Sequence, residues 1–588
     1  MKRQSVWSTV ILWVCGYLLV AWLALLVAQS IGEGGLLSLI ENLGKVMEQP
    51  FSIVWTEHSR SALLIATMGY LLSAGTYYAT RRNTREGEEH GSATWGNPHQ
   101  VNQMLAQKPL KNNLLLTRHV RLGLDSRKHR RNLNILVIGG SGAGKSRSHV
   151  IPALLNCGAM SYVITDPKQE VLNCTGNVLK ANGYDIRVLN LVNMEQSDGY
   201  NPFVYIKNEA DVLRLVTNLI QATTPPNSHE SDPFWTKAET ALLQALILYL
   251  HSEAPEYEQN FSMVLRMMEY AEVKEEDEEY ESPLDLLFMS LEREQPEHIA
   301  VRQYKVYKHA AGKTAKSILV SAAVRLAPFN LPQIRRLTEK DEMDLWSVGE
   351  KLTAIYAVIP DNDISFNFLV SLLYFQLFQT LYYSADQLHG GRLPIHTHFL
   401  LDEFSNVNLK GVDREISTMR SREISVSVII QNLAQIKAQY KDTWETIPGN
   451  TDSVLYLGGN ESSTHKVISE SYLGKSTIDT TTHGQSKGRS GSYSTNYQIT
   501  GRELLQPDEV RRLDNDYALL FIRGVKPIVD KKYDMKAHPN YRLCADSGAA
   551  PYIHRKPFLE GDPLFLLPEE TDKIHEKGEL HEAVKQTQ

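Results

Sequence analysis

The sequence predicts an α/β protein built on a parallel sheet, with an all-helical insertion and two membrane-crossing helices ahead of it. Three observations carry this. Short, continuous apolar runs alternate with helical patterns over most of the chain. The stretch 209–344 has helical patterning only, as in Lys237-AETALLQALILYL. Two uncharged apolar runs lie within the first 82 residues.

Composition bounds the class. At 588 residues the length implies about four domains. Hydrophobic residues make up 42% and charged residues 22%, which excludes wholesale disorder, collagen-like repeats and a polytopic membrane protein. The net charge of −7 means the chain is not globally basic, but nucleic-acid binding needs only a local basic face. The four cysteines, Cys15, Cys157, Cys174 and Cys544, form no C-x-x-C pair. They suggest a reducing compartment and no disulfide framework.

The first uncharged run has its core at Val6–Ala28 and the second covers 61–80. About 20 apolar residues span a bilayer at ~1.5 Å each. A cleaved signal peptide is the alternative for the first run, but its apolar core exceeds the roughly 7–15 residues of such a peptide. A buried core helix is the alternative for the second, which carries scattered Ser, Thr and Gly. Lys2 and Arg3 precede the first span, and Arg81, Arg82 and Arg85 follow the second. The intervening loop, about 30–60, carries Glu33, Glu41, Glu48 and Glu57 against Lys45 and Arg60. This asymmetry predicts a two-pass protein of the cell membrane with both termini cytoplasmic.

Eight runs read as buried strands: Asn134–Ile138, Tyr162–Thr165, Ile186–Leu191, Thr353–Ile359, His398–Leu401, Ser425–Ile430, Val454–Leu457 and Ala518–Ile522. The expected organisation is a membrane domain over 1–82 and an α/β domain split into 83–208 and 345–545. A helical insertion occupies 209–344, and 546–588 is a partly disordered tail. The acidic run 275–279 reads as a solvated loop. Ser476–Tyr497, rich in Ser, Thr and Gly, is either a long hairpin around Gly484–Gly491 or a mobile loop.

The strongest motif is Gly139-Gly140-Ser141-Gly142-Ala143-Gly144-Lys145-Ser146, which fits G-x-x-x-x-G-K-[ST] between a strand and a helix-compatible stretch. Glycines let backbone N–H groups converge on phosphate oxygens, and a helix N-terminus adds positive dipole. Lys145 is placed to reach the β- and γ-phosphates of ATP, and Ser146 Oγ to bind Mg2+. Pro152 should kink or shorten the helix that follows. A second element is His398-Phe-Leu-Leu-Asp402-Glu403, where an apolar strand ends in two acids. Asp402 is placed to hold Mg2+ through water, and Glu403 to polarise the attacking water. A third strand ends at Gln431, which can sense the γ-phosphate or orient that water.

With these motifs in place, the chain resembles the type IV secretion coupling proteins, the TraG-like family of conjugative DNA transfer ATPases. The matching pieces run in order along nearly the whole chain. They are the two spans, His90-Gly-Ser-Ala-Thr-Trp95, the glycine-rich loop, Thr165-Asp-Pro-Lys168 with Glu170, Asn201-Pro-Phe203 and Phe234-Trp235. Leu400-Leu-Asp-Glu-Phe404, Met419-Arg-Ser-Arg422, Gln431-Asn-Leu-Ala-Gln435 and Arg523-Gly524 complete the set. Gln169 stands where that family usually has Gly. The resemblance implies a RecA-like P-loop ATPase domain, a homohexamer around a pore, and use of ATP and Mg2+. It implies as partners a relaxase and accessory DNA-processing proteins, secretion channel components, and single- and double-stranded DNA without sequence specificity.

Two further readings concern basic residues. Arg420 and Arg422 follow a helical stripe of Val412, Ile416 and Met419 and are candidates for an arginine supplied to a neighbouring subunit. A salt bridge to Glu415 is the alternative. Arg118, Arg121, Arg127, Lys128, Arg130 and Arg131 form one basic cluster, and Arg302, Lys305, Lys308, Lys313, Lys316 and Arg325 another. Each is either a phosphate path or a solvated face. The alternatives for the whole protein are a pump acting on chromosomal DNA and a cargo receptor that binds nucleotide without motor activity. A membrane-bound ATP-dependent protease would need a metal motif such as H-E-x-x-H, and the sequence has none.

Overall fold

The computed structural model describes residues 6–31, 36–80, 88–224, 233–271, 280–310, 313–407, 409, 411–485 and 493–555. Lys2, Arg3, Glu33, Arg81, Arg82, Arg85, the acidic run 275–279, the tip of the 476–497 segment and the tail after 555 lie outside them. The described residues form two compact units, 1–89 and 90–588.

The first unit holds three helices: α1 (Val6–Ser30), α2 (Leu36–Met47) and α3 (Ser59–Thr80). Val10–Ser30 and Ser59–Thr80 are long and apolar enough to cross a membrane. The Ser, Thr and Gly residues that dilute these spans lie partly at the helix–helix contact. Tyr17 and Thr67 share a hydrogen bond of 3.0 Å, and Tyr70 donates to the Trp13 carbonyl at 2.6 Å. Gly16 makes that approach possible, since a Cβ there would lie 2.8 Å from the Tyr70 hydroxyl. Small residues and polar contacts of this kind hold helices together where lipid supplies no hydrophobic drive.

The second unit is organised by one nine-stranded sheet. A small pair, β1 (Asn113–Leu115) and β2 (Arg121–Gly123), precedes it. The next seven strands are β3 (Ile135–Ile138), β4 (Ser161–Pro167), β5 (Asp185–Asn190), β6 (Thr353–Ile359), β7 (Thr397–Leu401), β8 (Ile424–Ile430) and β9 (Ser453–Tyr456). After the antiparallel hairpin β10 (Lys475–Gln485) and β11 (Tyr493–Glu503) come β12 (Tyr517–Ile522) and β13 (Ile528–Lys531). The sheet order is β13-β12-β9-β3-β8-β7-β4-β6-β5, parallel from β9 to β5 and antiparallel at the β12–β13 edge. Each of the eight apolar runs is a strand here. The antiparallel edge departs from the all-parallel expectation, because β12 turns straight back into β13 at Gly524, whose φ is 74°.

Between the adjacent strands β5 and β6 the chain leaves the sheet as helices, and no strand occurs among the described residues of 209–344. Polar caps start several of them. Asn208 accepts from Asp211 N, Asn260 from Met263 N, and Ser282 forms a reciprocal capping box with Asp285. Leu242, Phe261, Phe288 and Phe329 bury in the same apolar cluster as Phe368 and Phe399 of the sheet half.

The cysteine reading is corrected. Cys174 and Cys544 are joined in a disulfide, with Cα atoms 4.9 Å apart, although 370 residues separate them in sequence. The segment after β13 folds back onto the helix Glu170–Ala181, where Tyr552 packs over Gly176. A contact made by such a return has no signature in cysteine spacing.

Candidate nucleotide site

Parallel strands aim their carboxyl ends the same way, and the candidate residues sit at those ends. β3 runs into Gly139, β7 into Asp402 and β8 into Gln431. β8 lies between β3 and β7, so Gln431 emerges between the glycine loop and the acid pair.

The glycine loop closes on its neighbours first. The amide of Gly139 donates to Ile430 O at 3.0 Å, Gly140 to Gly458 O at 2.8 Å, and Ala143 to Gly140 O at 3.1 Å. These three amides are therefore engaged by the protein itself. Gly142 and Gly144 adopt φ of 75° and 82°, which side chains rarely tolerate. A Cβ on Gly142 would project into open space. Lys532, absent from the sequence reading, donates from Nζ to the Ala143 carbonyl at 2.8 Å and to Asn515 Oδ1 at 3.0 Å. It follows a strand that is apolar only at Ile528 and Val529, which is why neither strand nor lysine was legible.

The helix after the loop is short, as Pro152 implies. A wide turn over Ser146–Val150 leads into a helix that ends at Leu155. Pro152 has no N–H for the regular ladder, and the first turn widens until Ile151 N reaches Ser146 O.

Five predicted side chains meet in front of this loop. Ser146 Oγ donates to Asp402 Oδ2 at 2.8 Å. Lys145 Nζ lies 3.7 Å from Glu403 Oε1, with the lysine side chain 9% exposed. Gln431 Nε2 donates to both Glu403 oxygens at 3.3 and 3.1 Å, and its own amide donates to Gln435 Oε1 at 2.9 Å. Glu403 sits in the left-handed region at φ 47°, which turns its carboxylate back toward Lys145 and Gln431. Strain of this kind costs about 1–3 kcal/mol and gathers at functional sites.

Burial dominates the carboxyls beside the loop. Burial, then the charge of Glu403, pushes the Asp402 carboxyl above its usual range, against the Ser146 hydrogen bond. Burial pushes Asp166 up to about 7, although Val171 N and Leu172 N donate to it at 3.1 and 2.7 Å. Lys145 is the ammonium closest to this group, 3.7 Å from Glu403. A hydroxyl and a buried carboxylate side by side are hard oxygen ligands of the kind Mg2+ takes.

Around Thr165-Asp-Pro-Lys168 the departure at Gln169 has a geometric outcome. Lys168 and Gln169 both have positive φ, 71° and 65°, the conformation in which Gly is at ease. Asn190 Nδ2 donates to Gln169 Oε1 at 3.1 Å and helps hold the turn.

Arg420 and Arg422 are not part of this group. Val412, Ile416 and Met419 are buried, and the arginines follow at the amino end of β8. Arg422 pairs bidentately with Asp386, not Glu415, and lies over the Tyr382 ring at 4.6 Å. Arg420 is exposed. The second basic cluster is largely neutralised: Arg302 pairs with Glu297, Lys305 with Glu292, Lys308 with Asp285 and Arg325 with Glu239.

Comparisons with known proteins bear on the family and the fold. Residues 97–545 match the family model described as "Type IV secretory system Conjugative DNA transfer". The chain belongs to that family. It is 25% identical over 420 residues to protein VirD4 of Rhizobium radiobacter, covering 68% of this chain and 56% of VirD4. It is 22% identical over 407 residues to conjugal transfer protein TraG of the same organism, covering 67% of this chain and 60% of TraG. The chain therefore spans little more than half the length of these curated relatives. Among solved structures, the unbound form of the bacterial conjugative coupling protein TrwBdeltaN70 superposes with a TM-score of 0.55 at 15% identity, covering 78% of this chain and 98% of that one. Plasmid coupling protein TrwB in complex with a non-hydrolysable ATP analogue gives 0.56 at 16%, covering 81% and 100%. The fold is that RecA-like α/β fold.

Proposed function

We propose that this protein is a membrane-anchored ATPase that couples a relaxase–DNA substrate to a type IV secretion channel and drives DNA transfer during conjugation. The convergence of Lys145, Ser146, Asp402, Glu403 and Gln431 on one spot at the strand ends carries the nucleotide part. Family membership and the names of VirD4, TraG and TrwB support the rest. TrwB has been solved with ADP and Mg2+. The subunits assemble as a homohexamer, the two N-terminal helices make a two-pass anchor, both termini face the cytoplasm, and residues 209–344 form a helical insertion.

In this reading Lys145 is the counter-charge for the β- and γ-phosphates of ATP, and the amides of Gly142 and Gly144 donate hydrogen bonds to phosphate oxygens. Ser146 and Asp402 hold Mg2+, which when bound neutralises phosphate charge. Glu403 polarises the attacking water. Gln431, already bonded to Glu403, keeps that carboxylate aimed.

Two variants test the assignment. Lys145→Ala should abolish ATP binding, and Glu403→Gln should bind ATP normally while hydrolysis falls at least ~100-fold. Normal hydrolysis by Glu403→Gln would remove Glu403 from the reaction.

A further inference from the structure

Beneath the nucleotide site, six polar side chains run in a line through an apolar part of the fold. His149, on the wide turn after the glycine loop, shares a hydrogen bond of 2.9 Å between Nε2 and Ser427 Oγ. His398 Nε2 meets the same hydroxyl at 3.0 Å. His398 Nδ1 meets Ser425 Oγ at 2.6 Å, as does His396 Nε2. His396 Nδ1 ends the line 3.3 Å from Glu423 Oε2. His149, Ser427, His398 and Ser425 are at most 1% exposed. Strand geometry sets the line: Ser425 and Ser427 are two apart on β8 and share a face, and His398 pairs with Ser425 across from β7.

Two serine hydroxyls link the three imidazoles. Burial pushes His149 down to about 4 and His398 well below its ordinary value, so both are neutral with one N–H each. The His396 hydrogen bond, outweighing burial, holds the Glu423 carboxyl below its usual range, so Glu423 only accepts. Ser425 Oγ bridges His396 Nε2 and His398 Nδ1, and Ser427 Oγ bridges His398 Nε2 and His149 Nε2. His149 Nδ1 is the one buried atom of the line without a partner among the described residues.

One end of the line lies on the phosphate-binding helix and the other on the turn that carries Arg420. His149 lies three residues after Ser146 on the phosphate-binding helix. Glu423, at φ 61°, closes the turn Met419–Arg422 that presents exposed Arg420. Arg127 approaches Glu423 at 4.0 Å, the Glu423 carbonyl accepts from Thr397 N at 3.0 Å, and Arg422 is tied to Asp386. Hydrogen bonds strung through a low-dielectric core reinforce one another and tie their members together. We propose that His149, Ser427, His398, Ser425, His396 and Glu423 are positioning residues that hold the phosphate-binding helix and the Arg420–Glu423 turn in one register. The proposal rests on the nucleotide reading above.

The test uses the full-length chain in detergent and measures kcat and KM for ATP, with Lys145→Ala as reference. Ser427→Ala and Glu423→Ala, at separate points of the line, should each lower kcat about ten-fold while KM stays within about two-fold. The double variant should fall no further than the worse single one, because one broken link already uncouples the ends. Ser427→Thr and Glu423→Gln, which keep a hydroxyl and an acceptor, should restore most of kcat. Losses that multiply to about 100-fold in the double variant, or a rise in KM with kcat unchanged, would overturn the proposal. If Ser427→Ala does not fold, Glu423→Ala against Glu423→Gln decides, and equal rates from the two count against the line. Hydrolysis that Lys145→Ala fails to remove counts instead against the nucleotide reading.

Discussion

Arg420 and Arg422 stand two residues apart and lead different lives. Arg422 is bound on three sides, by the Asp386 carboxylate, the Thr418 carbonyl and the Tyr382 ring. Arg420 is exposed at the amino end of β8. Arg422→Ala should therefore cost about 1 kcal/mol of stability, seen as a lower Tm, whereas Arg420→Ala should leave Tm unchanged. If Arg420 stabilises the transition state in a neighbour, Arg420→Ala should bind ATP and lose ~10³-fold or more in rate. Mixing it with Glu403→Gln protein should restore part of that rate, because mixed rings contain interfaces with both groups intact. No recovery from rings shown to mix would move the role to another residue.

Among elements, the helix Ser462–Val467 shows how one side chain sets a local structure. Glu461 precedes it and accepts from Ser463 N and Thr464 N, both at 2.8 Å. Burial acts to raise this carboxyl, but the Ser463 and Thr464 hydrogen bonds outweigh it and hold it down to about 2. Its folded value lies below its unfolded value of 4.5, so its contribution is complete above about 4.5 and is lost as pH falls toward about 2. Glu461→Ala should cost about 1 kcal/mol at pH 7, and the difference from wild type should shrink as unfolding is measured at lower pH through that window. A pH-independent difference would assign the effect to packing. The helix also carries His465, whose Nε2 meets the Gly459 carbonyl at 2.9 Å, beside the Gly458 that receives the Gly140 amide.

The whole molecule combines an apolar N-terminal unit with a sheet unit rich in paired charges. With the proposed topology, a tag inserted at Gly34 should be reached by a membrane-impermeant label on intact cells, and one at Gln588 should not. Equal labelling would reverse the orientation drawn from Lys2, Arg3, Arg81, Arg82 and Arg85. The first basic cluster is only partly engaged: Lys128 pairs with Asp125 at 3.5 Å and Arg127 approaches Glu423 at 4.0 Å, both on exposed side chains. If it contacts DNA, binding should show little sequence preference and weaken steeply between ~50 and 200 mM salt. The second cluster, already paired with acids, should contribute little to that slope.

The sequence by itself determined the strands, the two apolar spans and the identity of the motifs. A buried parallel strand has to be a continuous apolar run, and eight such runs became strands of one sheet. It also placed Lys145, Asp402 and Gln431 at strand ends, since each follows directly on such a run or the loop after it. The tertiary structure alone decided which ends are neighbours: β8 between β3 and β7 brings Gln431 onto Glu403 at 3.1 Å. It alone revealed Lys532 on the loop carbonyl, the Asp386 partner of Arg422, the Cys174–Cys544 bond and the line from His149 to Glu423. The physical reason is shared. Periodicity and local propensity act over a few residues and are written in consecutive letters. These contacts join residues 27 to 389 positions apart and exist only once the sheet has ordered its strands.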